Sequence, residues 1–274
     1  MKRWHKAALA IGAVAGATVI GPRLLWFRRH PLPEGFVREA LDSEAEYGDV
    51  ELAVAHYRTG RDRLIIVVHG LGKSMNSPSI VATLAALRDH VDVVALDLAG
   101  HGQSSGECVL SPPAGAAQIE SLVKDARASG YRQVALLGCS FGAAASIRAA
   151  AQGVPVDAVV AVSSPAVPLY SIMSRGQRSP GLWRPWAWLM GTRLGYELDP
   201  GPWPINYVAD VAPVPLLIIH SGWDTLVPRE HSETLYAVAR PPKRFLDVPH
   251  GLHADPLPAL DAIIAWLDEV MSVL

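Results

Sequence analysis

The strongest constraint on this chain is a repeated alternation between short apolar runs and longer segments whose apolar residues have helical spacing. The apolar runs cover residues 64–68, 91–96, 134–137, 158–162 and 216–219. The segments with helical spacing cover residues 77–89, 115–129, 141–152, 229–240 and 256–271. Near-continuous apolar runs are typical of strands buried on both faces, and strands that alternate with helices favour a parallel sheet. We therefore predict an α/β fold with a mostly parallel central sheet and helices on both of its faces.

Two segments depart from this alternation. Residues 36–57 are predicted to supply one or two antiparallel strands at the start of the domain. Residues 166–206 contain no strand–helix unit but hold six prolines and four tryptophans. Because a long insertion in a regular fold is usually functional, we predict that this segment is a small lid within a domain of residues 34–274.

Residues 1–30 have a different character from the rest of the chain. The run Ala7–Gly21 has no charged residue, and a helix from Trp4 to Phe27 would be about 35 Å long, enough to cross a hydrocarbon core of about 30 Å. We predict a membrane anchor. A cleaved secretory signal, with Ala13–Ala15 before the cleavage point, and a soluble helix are the alternatives. Basic residues flank both ends, so the orientation stays open.

Composition excludes several classes of protein. Half of the 274 residues are hydrophobic and 18% are charged, which is unlike a disordered chain and sufficient for one large domain. The formal net charge of −2 disfavours a nucleic-acid partner. Two cysteines cannot form a disulfide framework, and the chain has no H-E-x-x-H motif, phosphate loop or dinucleotide fingerprint. We therefore expect neither a metal nor a cofactor.

The motif that carries chemistry is Gly138–Gly142, which has the form G-x-S-x-G. It follows the predicted strand 134–137 and precedes an alanine-rich helix, so Ser140 is predicted to lie on a sharp strand-to-helix turn with its hydroxyl exposed. A second copy of the pattern at residues 102–106 has no apolar run before it. We interpret that copy as a loop and assign Ser140 as the nucleophile.

A serine hydroxyl needs a base, and the base needs an acid that orients it. Asp224 comes just after the buried run 216–219, where ligand-binding residues gather at the carboxyl ends of strands. It is the candidate acid, although a helix-capping role is the alternative. Asp199 and Asp210 are weaker candidates because neither follows a clear strand.

The candidate base is His253, which follows a short predicted strand at residues 245–248 and lies before the final helix. His250, three residues earlier, is the alternative base. A histidine titrates near neutral pH and therefore suits proton transfer.

The turn His69–Gly72 follows the predicted strand 64–68 and is rich in glycine. Such a turn can direct a backbone amide at the reacting oxygen, and the residue after the nucleophile supplies a second amide. Leu71 and Phe141 are therefore the candidate oxyanion-hole residues.

In order along the chain, these features resemble the serine-hydrolase branch of the α/β-hydrolase fold family. The markers are His69–Gly70, the block Asp97–Ser104, the Ser140 turn, the Asp224 loop and His253. The block is similar to a D-x-x-G-x-G-x-S loop that shapes the site in that family without acting in catalysis. The resemblance is strongest to monoacylglycerol-lipase-like and serine-aminopeptidase-like hydrolases, and it implies an acyl-enzyme mechanism without a cofactor.

The sequence therefore favours a membrane-tethered serine hydrolase that cleaves a carboxylic ester of a lipid or another hydrophobic acyl group. The tryptophans of residues 166–206 suit an amphipathic interface, but packing of the lid onto the sheet explains them equally well. An amidase, peptidase or thioesterase that uses the same triad is an alternative. A non-catalytic binding protein with this fold is another.

Overall fold

The computed structural model describes residues 30–43, 49–168, 191–195 and 202–271. Within these residues eight strands form one sheet, in the order β1-β2-β4-β3-β5-β6-β7-β8. The strands are β1 (Val37–Ser43), β2 (Val50–Tyr57), β3 (Arg63–Val68), β4 (Asp92–Leu96), β5 (Gln133–Cys139), β6 (Ala158–Val162), β7 (Leu216–Ser221) and β8 (Lys243–Val248). The helices are α1 (Pro78–Leu87), α2 (Pro112–Ala128), α3 (Phe141–Ala151), α4 (Arg229–Val238) and α5 (Leu260–Met271).

The sheet is mostly parallel, as the apolar runs predict. Strands β3 to β8 all run in the same direction, and β2 joins β4 antiparallel. The predicted antiparallel start is also confirmed, since β1 and β2 form an antiparallel pair in which Val37 lies opposite His56. Because parallel strands end at the same edge, the loops after β3, β4, β5, β7 and β8 meet at the carboxyl edge of the sheet.

Helix boundaries differ from the prediction at two places. Helix α2 begins at Pro112, three residues before the predicted start, because Pro112 and Pro113 occupy its first turn, where a missing N–H costs nothing. Helix α5 begins at Leu260, because residues 257–259 form a separate 3₁₀ turn behind Pro256.

Apolar side chains fill both faces of the sheet. One cluster holds Ile119 of α2, Ile147 of α3 and Leu235 of α4, and the opposite cluster holds Ile80 of α1 and Ile263 of α5. This arrangement confirms the predicted fold class.

The described residues cover little of the predicted membrane anchor (residues 1–30) and of the predicted lid (residues 166–206). The predicted anchor, except for His30, lies outside them, and of residues 166–206 the structure describes 166–168, 191–195 and 202–206. Trp203 is 1% exposed within the core, so this one tryptophan packs rather than faces an interface. Among the described helices, none has the length and apolar character needed to cross a bilayer.

Candidate active site

Ser140 lies on a strained turn between β5 and α3. Its φ of 52° falls in the left-handed region, which non-glycine residues seldom adopt and which often marks a functional site. The two flanking glycines allow the turn to pack closely. A Cβ on Gly138 would lie 2.6 Å from Ala143 Cα, and one on Gly142 would lie 2.4 Å from the His69 carbonyl oxygen. The G-x-S-x-G pattern therefore follows from the space available around this turn.

The loops after β7 and β8 bring Asp224 and His253 to Ser140. The distance from His253 Nε2 to Ser140 Oγ is 3.0 Å, and His253 Nδ1 lies 2.7 Å from Asp224 Oδ2. The other Asp224 oxygen accepts the backbone amides of Leu226 and Val227 at 2.9 Å each. Three residues separated by up to 113 positions therefore form one continuous hydrogen-bonded relay.

The surroundings of Asp224 determine its charge in this relay. Burial by itself would raise the pKa of Asp224, but hydrogen bonds from His253 and from the Leu226 and Val227 amides outweigh it, so the pKa is lowered. Asp224 is therefore a carboxylate and can only accept hydrogen bonds. Nδ1 of His253 must then carry a proton, and in the neutral form of the ring this leaves Nε2 as an acceptor for the Ser140 hydroxyl.

The predicted oxyanion-hole residues, Leu71 and Phe141, directly follow Gly70 and Ser140 in the chain. Gly70 is so close to Ser140 that a Cβ on it would be 3.0 Å from the serine Cβ and 3.6 Å from the serine Oγ, and Leu71 is the next residue in the chain. Phe141 is the first residue of α3. Within the described part of the chain, neither the Leu71 nor the Phe141 amide donates a hydrogen bond to another backbone or side-chain group. Both amides therefore remain candidate donors to an oxygen of a bound substrate.

The structure also places the residues that were considered as alternatives. The ring of His250 packs on Trp223, with centroids 5.0 Å apart, and not on Ser140. Ser104 of the second G-x-S-x-G copy is 1% exposed and donates its hydroxyl to the Asp97 carbonyl. Asp210 lies in a 3₁₀ turn at Val208–Val211, and Asp199 lies outside the described residues.

His69 is a buried residue that joins two loops near the candidate site. Its Nδ1 contacts the Gly70 carbonyl at 2.8 Å, and its Nε2 accepts the Leu98 amide at 3.0 Å. Burial lowers its pKa to about 4, so the ring is neutral and the 3.9 Å approach to Asp97 is not an ion pair. His69 thus joins the turn after β3 to the loop after β4.

Sequence reasoning missed a serine that supports the histidine loop. Ser163, after β6, is fully buried, and its hydroxyl accepts the Ala254 amide at 3.3 Å and donates to Ser221 Oγ at 3.2 Å. Ser163 and Ala254 have φ values of 52° and 55°, and with Ser140 they are the non-glycine residues of positive φ in the described chain. Ser140 belongs to the relay, Ala254 follows His253 in the chain, and Ser163 contacts Ala254, so all three residues lie at or next to the relay. A lone serine at a strand end carries no sequence signal that would have revealed this.

The described residues contain no group of three or more His, Cys, Asp or Glu side chains arranged to hold a metal ion. Cys139, beside the nucleophile, is fully buried, and burial raises the pKa of its thiol to about 12.

Comparison with known proteins adds family evidence. The model of the alpha/beta hydrolase fold matches residues 63–187. The chain is 48% identical over 61 residues to the uncharacterized protein YfhR of Escherichia coli K12, a match that covers 22% of each protein. It is 31% identical over 224 residues to the uncharacterized protein Rv2307c of Mycobacterium tuberculosis H37Rv, which covers 77% of this chain and 66% of that protein. The match to YfhR thus spans about a fifth of that relative's length.

Solved structures with the same architecture include two hydrolases. The Pyrococcus furiosus esterase Pf2001 superposes with a TM-score of 0.68 at 20% identity, covering 88% of this chain and 98% of its own. A membrane phospholipase A, a bacterial virulence factor, superposes with a TM-score of 0.66 at 16% identity, covering 99% of each chain. At these identities the likeness establishes the fold alone.

Proposed function

The chain belongs to the α/β-hydrolase fold family, and on that basis we propose that it is a serine hydrolase that cleaves a carboxylic ester. The observation that carries the proposal is the relay of 3.0 Å from Ser140 Oγ to His253 Nε2 and 2.7 Å from His253 Nδ1 to Asp224 Oδ2. These distances lie within the range that proton transfer requires.

In the proposed first half-reaction, Ser140 Oγ attacks the ester carbonyl carbon while His253 Nε2 takes the hydroxyl proton. Asp224 stabilises the imidazolium that forms and holds the ring in orientation. The carbonyl oxygen becomes an oxyanion and accepts hydrogen bonds from the Leu71 and Phe141 amides. His253 then gives its proton to the leaving alcohol, and an acyl group remains on Ser140.

In the second half-reaction a water molecule replaces the alcohol. His253 removes a proton from the water as it attacks the acyl carbon, and then returns that proton to Ser140 Oγ. The carboxylic acid leaves and the starting state is restored. The same three side chains serve both halves because the positions of the attacking and leaving oxygens are equivalent.

We further propose that the substrate is a lipid or another hydrophobic acyl ester and that residues 1–30 anchor the protein in a membrane. The uncharged run Ala7–Gly21 supports the anchor. The esterase and phospholipase names of the two solved structures are consistent with an ester substrate.

Probe labelling and ester turnover test the chemistry. The protein is expected to react with a fluorophosphonate at Ser140 and to hydrolyse p-nitrophenyl butyrate, and Ser140→Ala should lose the label and at least about a thousandfold in rate. Ser129→Ala, an exposed serine after α2, is the matched control and should keep both properties. Equal turnover by the native protein and Ser140→Ala would refute the proposal. Matched amide and thioester substrates then test the acyl bond.

A further inference from the structure

Exposed apolar side chains are concentrated around the candidate site. Six large hydrophobic side chains are exposed in the described domain, and four of them lie in the loops after β7 and β8 or just before α5. We call these four the apolar rim: Trp223 (60% exposed), Leu226 (48%), Leu252 (57%) and Leu257 (41%). The other two lie elsewhere, because Val37 begins the edge strand β1 and Val238 ends α4.

The apolar rim is continuous with the relay. Trp223 and Leu252 directly precede Asp224 and His253 in the chain, and Leu226 donates its amide to the Asp224 carboxylate. The two loops are also tied together, because the Trp223 amide donates to the Gly251 carbonyl at 3.0 Å. The rim therefore lies on the same loops as Asp224 and His253, at the carboxyl edge of the sheet.

The first described residue, His30, is attached at this same edge. The His30 amide donates to the Asn76 carbonyl at 3.0 Å, and Asn76 Nδ2 donates to the His30 carbonyl at 2.7 Å. Asn76 lies in the loop between β3 and α1, which is the loop that carries Leu71. From His30 the chain runs along α1 to Glu34. The Glu34 carbonyl accepts a hydrogen bond from the Arg88 guanidinium at 2.6 Å, just after the C-terminal end of α1. His30, the first described residue, is thus attached at the edge of the sheet where the relay lies.

From these two observations we propose that the carboxyl edge of this domain binds the surface of a phospholipid bilayer, with the apolar rim in contact with the lipid. The proposal rests on the proposed function for the role of the site, and it adds which face of the domain meets the membrane. A substrate that partitions into the bilayer would then reach Ser140 without crossing water.

A lipid surface suits the rim better than a second protein does. A tryptophan among leucines on separate loop tips is typical of side chains that enter the boundary between headgroups and acyl chains. Exposed apolar clusters of this kind usually mark a contact surface. The uncharged segment at residues 7–21 precedes His30 closely in the chain, and His30 is attached at the same edge, which favours the lipid as the occupant.

A fluorophore on one rim position of the full-length protein tests the orientation. Cys108 and Cys139 are buried, so a thiol-reactive dye should label Leu252→Cys selectively in the folded protein. Val238→Cys is the matched control, because Val238 is a similarly exposed apolar residue at the end of α4, which lies at the amino edge of the sheet. Each labelled protein is mixed with phosphatidylcholine vesicles with and without a lipid that carries a quencher on its acyl chain.

The proposal predicts a blue shift and at least twofold stronger quenching for the dye at position 252 than for the dye at position 238. Equal quenching at both positions, or no vesicle binding, would overturn it. A blue shift at position 252 that follows protein concentration rather than lipid would assign the rim to a second copy of the chain, and would also overturn it. Since the readout is fluorescence, Ser140-dependent turnover of a soluble ester can succeed or fail independently of this result.

Discussion

Replacement of Asp224 by Asn changes the hydrogen-bond pattern of the relay while keeping the shape of the side chain. In the structure one carboxylate oxygen accepts the Leu226 and Val227 amides at 2.9 Å each, and the other accepts His253 Nδ1–H at 2.7 Å. An Asn side chain offers one oxygen and one NH₂ group, so it can accept hydrogen bonds on one of these sides only.

The substituted side chain in Asp224→Asn can take two orientations, which have different consequences. If its oxygen faces the two amides, its NH₂ group faces His253, the ring proton moves to Nε2, and Nε2 can no longer accept the Ser140 proton. The opposite orientation leaves two backbone N–H groups unpaired, at about 1–3 kcal/mol each and therefore about 2–6 kcal/mol in total. With about 1.4 kcal/mol for each factor of ten, kcat/KM should fall by about 30-fold to 10⁴-fold.

The assay is turnover of p-nitrophenyl butyrate by Asp224→Asn, with the thermal midpoint measured to show that the variant is folded. Asp247→Asn is the control, because Asp247 is a surface carboxylate that pairs with Arg229 outside the relay, and its kcat/KM should stay within twofold of the native value. An Asp224→Asn protein that is folded and within fivefold of the native rate would show that the tautomer of His253 does not limit the reaction.

Three further predictions concern the support of the site. Burial lowers the pKa of His69 to about 4 and that of His101 to about 3, so below about pH 6.5 these two histidines bind protons in the unfolded chain but not in the folded protein. The free energy of unfolding should therefore be highest above pH 6.5 and about 4 kcal/mol lower at pH 5. Urea denaturation that gives equal free energies at pH 7.5 and pH 5 would contradict this. Gly142→Ala places a Cβ 2.4 Å from the carbonyl oxygens of Val68 and His69, so the thermal midpoint should fall by about 3–10 °C, and an unchanged midpoint in calorimetry would argue against that packing. Ser163→Ala leaves the Ala254 amide unpaired, so kcat should fall about tenfold at constant KM and Ser163→Thr should recover most of it; a change in KM alone would mean that the serine does not position the histidine loop.

The fold was predictable because its signals are local. Strand β6 has the bounds of the apolar run 158–162, since a strand buried on both faces leaves no polar interruption in the sequence. The turn at Ser140 was recognisable because Gly138 and Gly142 are required by contacts closer than a Cβ allows. The start of α2 was placed too late because its first turn is proline and alanine, which show no helical spacing of apolar residues.

What the sequence could not reveal depends on contacts between distant residues. The choice of His253 over His250 rested on position along the chain, and the distances that separate them arise from the loop after β8. Ser163 acts through a residue 91 positions away, and the attachment of His30 to Asn76 spans 46. No pattern within one segment encodes these pairings. The roles of Ser140, Asp224 and His253 in catalysis stay predictions that the experiments above address.

The positive φ angles of Ser140, Ser163 and Ala254 lower the stability of the fold at positions that hold the candidate site, so stability and turnover place opposite demands on these residues. A side chain in that conformation stores about 1–3 kcal/mol, and glycine would release it. Glycine at position 254, where no side-chain hydrogen bond is lost, should therefore give a more stable protein in which the loop that carries His253 is held less firmly. Libraries screened for heat resistance alone would drift toward such replacements and away from activity, so both properties have to be screened together.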